Sequence, residues 1–239
     1  MHARSNPAHF RDAPILCYVT DRRSLNAGRP EDLEPLVQRA AAVVAAGVDW
    51  IQIREKDLSA RELTWLTRQT LRRLHDSGNT THHRARIVVN DRLDIALTER
   101  TGGVHLGEKS LPVIDTKRLV ETRLSDHDFL VGVSCHSIEA ATRAEGEGAD
   151  YLFFGPVFAT PSKAVYGEPQ GLTKLAQICQ AVSVPVLAIG GISLENAADC
   201  VRAGAAGIAA IRLFQDAVDP FVAVQRLHQL LQLPPPPMT

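Results

Sequence analysis

The chain has 239 residues, 45% hydrophobic and 22% charged, the ordinary balance of a soluble globular protein. A formal net charge of −1 supplies no basic field for nucleic acid or anionic lipid. No apolar run approaches the ~20 residues a membrane-spanning helix needs, and the length suits one large α/β barrel or two small domains.

Cys17, Cys135, Cys179 and Cys200 are far apart in sequence and form no C-x-x-C pair. They fit reduced cytoplasmic thiols better than a disulfide framework or a zinc site. The N-terminal MHARSNPAHFRDAP lacks the apolar stretch of a secretory signal, so residues 1–13 are expected to be a flexible leader. Pro234 to Pro237 cannot continue a helix, and residues 233–239 read as a Pro-rich tail.

Between these ends, Ile15 to Thr20 is the first expected strand, and Glu31 to Ala46 carries apolar residues at helical spacing up to Gly47. Val48 to Ile53 is a second strand running into Arg54-Glu55-Lys56. Ser59 and Glu62 have the spacing of a capping box and open a helix to about His75. A third strand, Arg86 to Val89, ends at Asn90-Asp91 and is followed by helix from Leu93 to Leu97. Gly103 to Leu106 and Phe129 to Val133 are the fourth and fifth strands. Helices are expected from about Val113 to Leu124 and from Glu139 to Glu147.

The apolar run Tyr151 to Phe154 is a sixth strand. It breaks at Gly155-Pro156 into a polar loop with Thr160, Ser162 and Lys163, and helix resumes at Leu172 to Ala181. Hydroxyls, an ammonium and glycines suit such a loop to an anion, although the tetrapeptide alone fits an ordinary surface loop better. Pro185 to Ile189 is the seventh strand, ending in Gly190-Gly191. Ser193 is the expected cap of a helix stopping at Gly204. Gly207 to Ile211 is the eighth strand, and Phe221 to Leu231 the closing helix. Eight strand–helix units without a composition break predict a single α/β domain over 14–232, a closed (β/α)8 TIM barrel. An open doubly wound sheet lacks its G-x-G-x-x-G turn after the first strand.

In such a barrel the C-terminal strand ends share one rim, where active sites form. That rim would gather Gln52, Arg54, Lys56, Asn90, Asp91, Ser134, His136, Thr160, Ser162, Lys163, Gly190 and Gly191. Arg54 and Lys56 either hold one polyanion together or form a solvated ion-pair cluster with Glu55 and Asp57. Gly190-Gly191 before a capped helix has the character of a phosphate seat. Asp91 is open to two roles, magnesium ligand or helix cap. His136 is open to general base or helix cap. His105 reads as a packed strand residue, and His82-His83 as a solvated loop.

Six segments then fall in a telling order: Gln52 to Lys56, Val89 to Arg92, Gly103 to Gly107, Gly132 to Ser137, Gly155 to Lys163, and Ala188 to Ile192. From about Ile15 to Leu231 the chain resembles the thiamine-phosphate synthase family, which includes the related thiazole tautomerases. The resemblance implies magnesium-dependent coupling of hydroxymethylpyrimidine diphosphate with thiazole phosphate, giving thiamine phosphate and diphosphate. It implies that Arg54, Lys56, Asn90 and Lys163 hold the diphosphate, with Gln52 in the same motif. Asp91 would ligate Mg2+ and Ser134 would contact the pyrimidine side. Thr160, Ser162, Gly191 and the backbone near Ile211 would cradle the thiazole phosphate. Two positions depart from the synthases. Ser110 stands where a second magnesium-binding aspartate is usual, and Arg212 replaces a phosphate-binding serine. Ser110 is closer to the tautomerases, in which His136 would carry the proton, whereas Lys56 and Asp91 belong with the synthases. A phosphate-binding regulator without turnover is the third reading. The partners implied are small phosphorylated pyrimidine and thiazole substrates, with a homodimer left open.

Overall fold

Each of the eight expected apolar runs forms a parallel strand in the computed structural model, which describes residues 13–25, 32–76, 85–107, 109–124, 128–160 and 168–231. The strands are β1 (Ile15–Val19), β2 (Trp50–Ile53), β3 (Arg86–Asn90), β4 (Gly103–Leu106), β5 (Leu130–Cys135), β6 (Tyr151–Phe154), β7 (Val186–Ile189) and β8 (Gly207–Ala210). Pairing runs in chain order and closes where Ile15 of β1 meets Gly207 of β8, which excludes the open sheet. The predicted leader and tail lie outside the described residues, apart from Ala13.

The helices, in chain order, are α1 (Arg22–Leu25), α2 (Glu34–Ala45), α3 (Ala60–Asp76), α4 (Leu93–Thr98), α5 (Val113–Arg123), α6 (Ile138–Gly146), α7 (Gly171–Ala181), α8 (Ala197–Arg202), α9 (Arg212–Gln215) and α10 (Pro220–Leu231). The capping box at α3 forms as expected: the Glu62 carboxylate accepts from the Ser59 amide at 2.9 Å, and Ser59 Oγ accepts from the Glu62 amide at 3.3 Å. Ser137, not His136, caps α6, accepting from the Ala140 amide at 3.1 Å. The Ser193 cap is not formed. Asn196 bridges the Ser193 amide (2.8 Å) and the Gly191 carbonyl (3.0 Å), which holds an extra turn before α8 begins at Ala197. The sequence reading passed over α1 and α9, because four residues are too few to show a helical period.

Burial on both faces explains why the strands read as continuous apolar runs. Leu16, Tyr18, Ile51, Ile53, Leu152 and Phe154 point outward to the helices. Ile15, Cys17, Trp50, Leu130, Tyr151, Phe153 and Leu187 fill the barrel interior. Phe154 is fully buried, and truncating such a residue to alanine costs about 3–5 kcal/mol. Because side chains alternate along a strand, the inner positions one pleat above Trp50 and Leu130 are reached by Gln52 and, two pleats up, Ser134. The interior thus changes from aromatic and aliphatic at its base to polar at its mouth.

Candidate active site

At the mouth a single chain of side chains links β2, β3 and the β4–α5 turn. Gln52 Nε2 donates to Asn90 Oδ1 at 3.1 Å, and Asn90 Nδ2 donates to Asp91 Oδ2 at 2.7 Å. The other carboxylate oxygen, Asp91 Oδ1, accepts from the Gly107 amide at 3.1 Å and from the Ser110 hydroxyl in a short contact. A carboxylate can only accept, so each amide is oriented in turn, and Gln52 Oε1 is left without a donor among the described residues. Asp91 does not cap α4. Its backbone is left-handed (φ 61°), a conformation aspartate tolerates, and its amide is spent on the His105 carbonyl at 2.9 Å. The donors to its carboxylate are all neutral, so no described cation offsets its charge.

The two cations of β2 are also left without an ionic partner among the described residues. Arg54 is half-buried, and its amide donates to Thr20 Oγ1 at 2.9 Å. Lys56 is exposed in the turn that follows. The alternative cluster with Glu55 and Asp57 does not form, because those carboxylates belong to another pair. Arg22 forks onto Asp57 at 2.6 and 2.7 Å and reaches Glu55 at 3.1 Å, and Arg23 meets Asp57 at 2.5 Å. Thr20 Oγ1 donates to Glu55 at 2.7 Å, so one hydroxyl ties the acidic cluster to the Arg54 backbone. Hydrogen bonds from Arg22, then Arg23, hold the Asp57 carboxyl far below the usual carboxylate range.

On the opposite wall, Ser134 Oγ lies 2.9 Å from Nε2 of His105, whose Nδ1 lies 3.1 Å from the Tyr151 hydroxyl. His105 is packed, as the sequence implies, and burial lowers its pKa to about 3. Asp91 pulls that value up and Arg54 pushes it down, so both charges are felt at the imidazole. His136 Nδ1 is bound to the Gly155 carbonyl, which can only accept, so Nδ1 carries a hydrogen.

The loop leaving β6 crosses the ends of β7. Val157 donates to the Ile189 carbonyl at 2.9 Å and Phe158 to the Gly190 carbonyl at 3.0 Å. This crossing requires the glycine pair. Gly190 and Gly191 have φ of 98° and 67°, and a Cβ would come within 2.6 Å of Pro156 and of the Ala159 carbonyl respectively. Ile211 and Arg212 open α9, with Ile211 half-buried, Arg212 exposed and the Ile211 carbonyl capping Gln215 at 2.9 Å. Thr160 is half-buried at the end of the described stem; Ser162 and Lys163 lie outside the described residues. Among the described residues, no cluster of three metal-ligating side chains occurs and no helix is long and apolar enough to cross a membrane.

The structure thus brings Gln52, Arg54, Asn90, Asp91, Ser134 and Gly191 to the same end of the barrel. It sets Ser110 against Asp91 and adds two features the sequence reading missed: His105 behind Ser134, and the short helix α9 after β8. The last is a common phosphate-seat element of such barrels. Strand alternation would have placed His105 inward with Ser134, but nothing local marks a four-residue helix.

A closed (β/α)8 barrel whose mouth carries Arg54 and the Asp91 carboxylate, neither with an ionic partner among the described residues, belongs to the class of barrels that build their active sites at this rim. The chain belongs to the thiamine monophosphate synthase family, whose profile matches residues 16–214. It is 37% identical over 229 residues to a thiamine-phosphate synthase of Roseiflexus sp. (strain RS-1), covering 95% of this chain and 90% of that one. It is 38% identical over 214 residues to the thiamine-phosphate synthase of Moorella thermoacetica, covering 90% and 94%. A thiamine phosphate pyrophosphorylase from Pyrococcus furiosus superposes with a TM-score of 0.75 at 31% identity, covering 91% of this chain and 95% of that one.

Proposed function

We propose that the chain couples hydroxymethylpyrimidine diphosphate with thiazole phosphate, releasing diphosphate and forming thiamine phosphate. The observation that carries this reading is the pair Arg54 and Lys56, freed from Glu55 and Asp57 by Arg22 and Arg23. A diphosphate leaving group needs such cations, and a double-bond shift in a thiazole carboxylate does not. The family and its named relatives support the same choice over a tautomerase or a regulator without turnover.

In this reading Arg54, Lys56, Asn90 and Lys163 bind the diphosphate, and Gln52 and Ser134 meet the pyrimidine side. Gly190, Gly191, Thr160, Ser162, Ile211 and Arg212 seat the thiazole phosphate. The bond between the pyrimidine methylene carbon and the diphosphate oxygen breaks, its electrons leaving with diphosphate. The thiazole nitrogen lone pair then forms the new carbon–nitrogen bond. The residues contribute charge neutralisation and alignment rather than covalent chemistry. His136, anchored through Nδ1 at the same rim, is the residue placed to exchange a proton there.

The donor set fits Mg2+. Asp91 offers a carboxylate with no cation on it among the described residues, Ser110 a hydroxyl beside it, and magnesium completes its shell with waters and substrate phosphates. When bound, the ion would add positive charge against the leaving diphosphate. The four free cysteines support a reducing, cytoplasmic setting.

The test is one assay set: purified protein with each substrate pair, with and without magnesium. Diphosphate release that requires both substrates and magnesium is expected, and Asp91→Ala should nearly abolish it. Ser110→Asp should lower the magnesium concentration for half-maximal rate. Metal-independent isomerisation of a thiazole carboxylate phosphate, with no diphosphate released, would overturn the reading.

A further inference from the structure

We propose that Tyr151 and His105 form a relay of fixed polarity that turns the Ser134 hydroxyl into an obligate hydrogen-bond donor toward the mouth. The three residues occupy inward positions on β6, β4 and β5, which pair side by side in the barrel wall. Tyr151 is 0% exposed, and its hydroxyl meets one hydrogen-bonding group among the described residues, His105 Nδ1 at 3.1 Å. Ser134 Oγ likewise meets one, His105 Nε2 at 2.9 Å.

Only one arrangement satisfies every buried proton. If the Tyr151 O–H donates to Nδ1, the neutral ring carries its hydrogen on Nε2 and donates to Ser134 Oγ. The Ser134 proton is then left to point away from the wall. In the other tautomer the Ser134 proton would be consumed by Nε2, and the Tyr151 O–H, with Nδ1–H in front of it, would be stranded without an acceptor in a dry core. The rings are held in place. His105 packs on Phe153 and Tyr151 with centroids 4.2 and 5.5 Å apart, and Tyr151 stands edge-on to Trp50 at 4.8 Å. The Tyr151 ring occupies the space that a side chain on Gly132 would need.

A serine made to donate suits a lone-pair acceptor of the pyrimidine substrate, and a donor of fixed direction there keeps that substrate aligned as diphosphate departs. This role rests on the placement of Ser134 at the pyrimidine diphosphate end. His105 and Tyr151 are accordingly positioning residues that act through Ser134.

The first measurement is the imidazole 15N spectrum of the ligand-free protein, which reads the tautomer without turnover. The His105 resonances should report hydrogen on Nε2; hydrogen on Nδ1 would overturn the relay. The second is a double-mutant cycle. Tyr151→Phe keeps the ring and removes the proton, and should lower kcat by about tenfold, as loss of alignment of one transition-state donor does. KM for thiazole phosphate should stay unchanged. In a Ser134→Ala background the same substitution should cost nothing further. An equal loss with and without Ser134 would show a merely structural role and end the proposal. A protein that shows Nε2–H but couples no substrate would instead defeat the functional reading alone.

Discussion

Arg22 and Arg23 follow β1, and Arg54 and Lys56 follow the neighbouring β2, yet the two pairs live in different electrostatic worlds. The Arg22 side chain is 8% exposed and is bound by Glu55 and Asp57, while Arg54 and Lys56 have no carboxylate among the described residues. All six charges of the contest, four cations and two carboxylates, come from two short segments, Arg22-Arg23 and Arg54-Glu55-Lys56-Asp57. At the strand end the pleat sends Arg54 inward with Gln52 and Glu55 outward toward Thr20 and Arg22. Charges adjacent in sequence are therefore sorted into an ion-paired cluster behind the strand and two cations, Arg54 and Lys56, without an ionic partner among the described residues. A carboxylate next to a cation in sequence is no guide to whether the two are paired.

The largest way to break this comparison is to take the structural cation away. Arg22→Met leaves the Glu55 side chain, 3% exposed, as a buried acid whose charge has lost its ion-pair partner. Removing one member of a buried pair costs about 3–5 kcal/mol, and this should appear as a lower denaturant midpoint with an unchanged slope. A midpoint equal to wild type would mean that the Glu55 site is wetter than the geometry implies.

Arg54→Ala comes next and should act in the opposite place. Stability should be near wild type, because the guanidinium has no described partner to lose. Affinity for inorganic diphosphate, measured by calorimetry, should fall by about 1.5–3 kcal/mol, the worth of a charge-assisted hydrogen bond. Arg54→Ala protein that binds diphosphate normally but unfolds early would reverse the two roles.

Much of the fold was legible beforehand because its signals are local and repeated. Parallel strands buried on both faces must be apolar throughout, so runs such as Tyr151 to Phe154 announced themselves, with Gly155-Pro156 and Gly190-Gly191 marking the ends of two of them. The candidate site was legible as a set of strand ends, and alternation brought Gln52, Asn90 and Ser134 to one rim. What stayed hidden depends on contacts between distant segments. The freedom of Arg54 is decided by Arg22, 32 positions away, and the orientation of Ser134 by His105 and Tyr151. Ser193 looked like a helix cap because a serine before a helical pattern usually is one. The Asn196 side chain, bridging back to Gly191, captured the turn instead. For Gly190-Gly191, close approach of the β6 loop is a requirement visible only in three dimensions.

The smallest expected effect belongs to Arg23, and it sharpens the comparison by ranking the two structural arginines. The Arg23 side chain is 67% exposed and shares Asp57, itself 37% exposed, with Arg22. An exposed pair of this kind contributes about 0–1 kcal/mol and is weakened by salt, so Arg23→Ala should cost far less than Arg22→Met. The pH dependence carries the same ranking. Hydrogen bonds from Arg22 first and Arg23 second lower the folded-state pKa of Asp57 from its ordinary 3.8, so below that value the unfolded chain takes up a proton more readily than the folded one. The stabilisation from Asp57 is thus fully present above pH ~4 and is lost as the pH falls toward the folded-state value. Urea titrations from neutral pH down through this window should show Arg23→Ala keeping most of the wild-type acid limb, and Arg22→Met losing most of it. If Arg23→Ala flattens the limb as much as Arg22→Met does, burial of the guanidinium is not what separates the two arginines, and the same distinction drawn for Arg54 and Lys56 loses its basis.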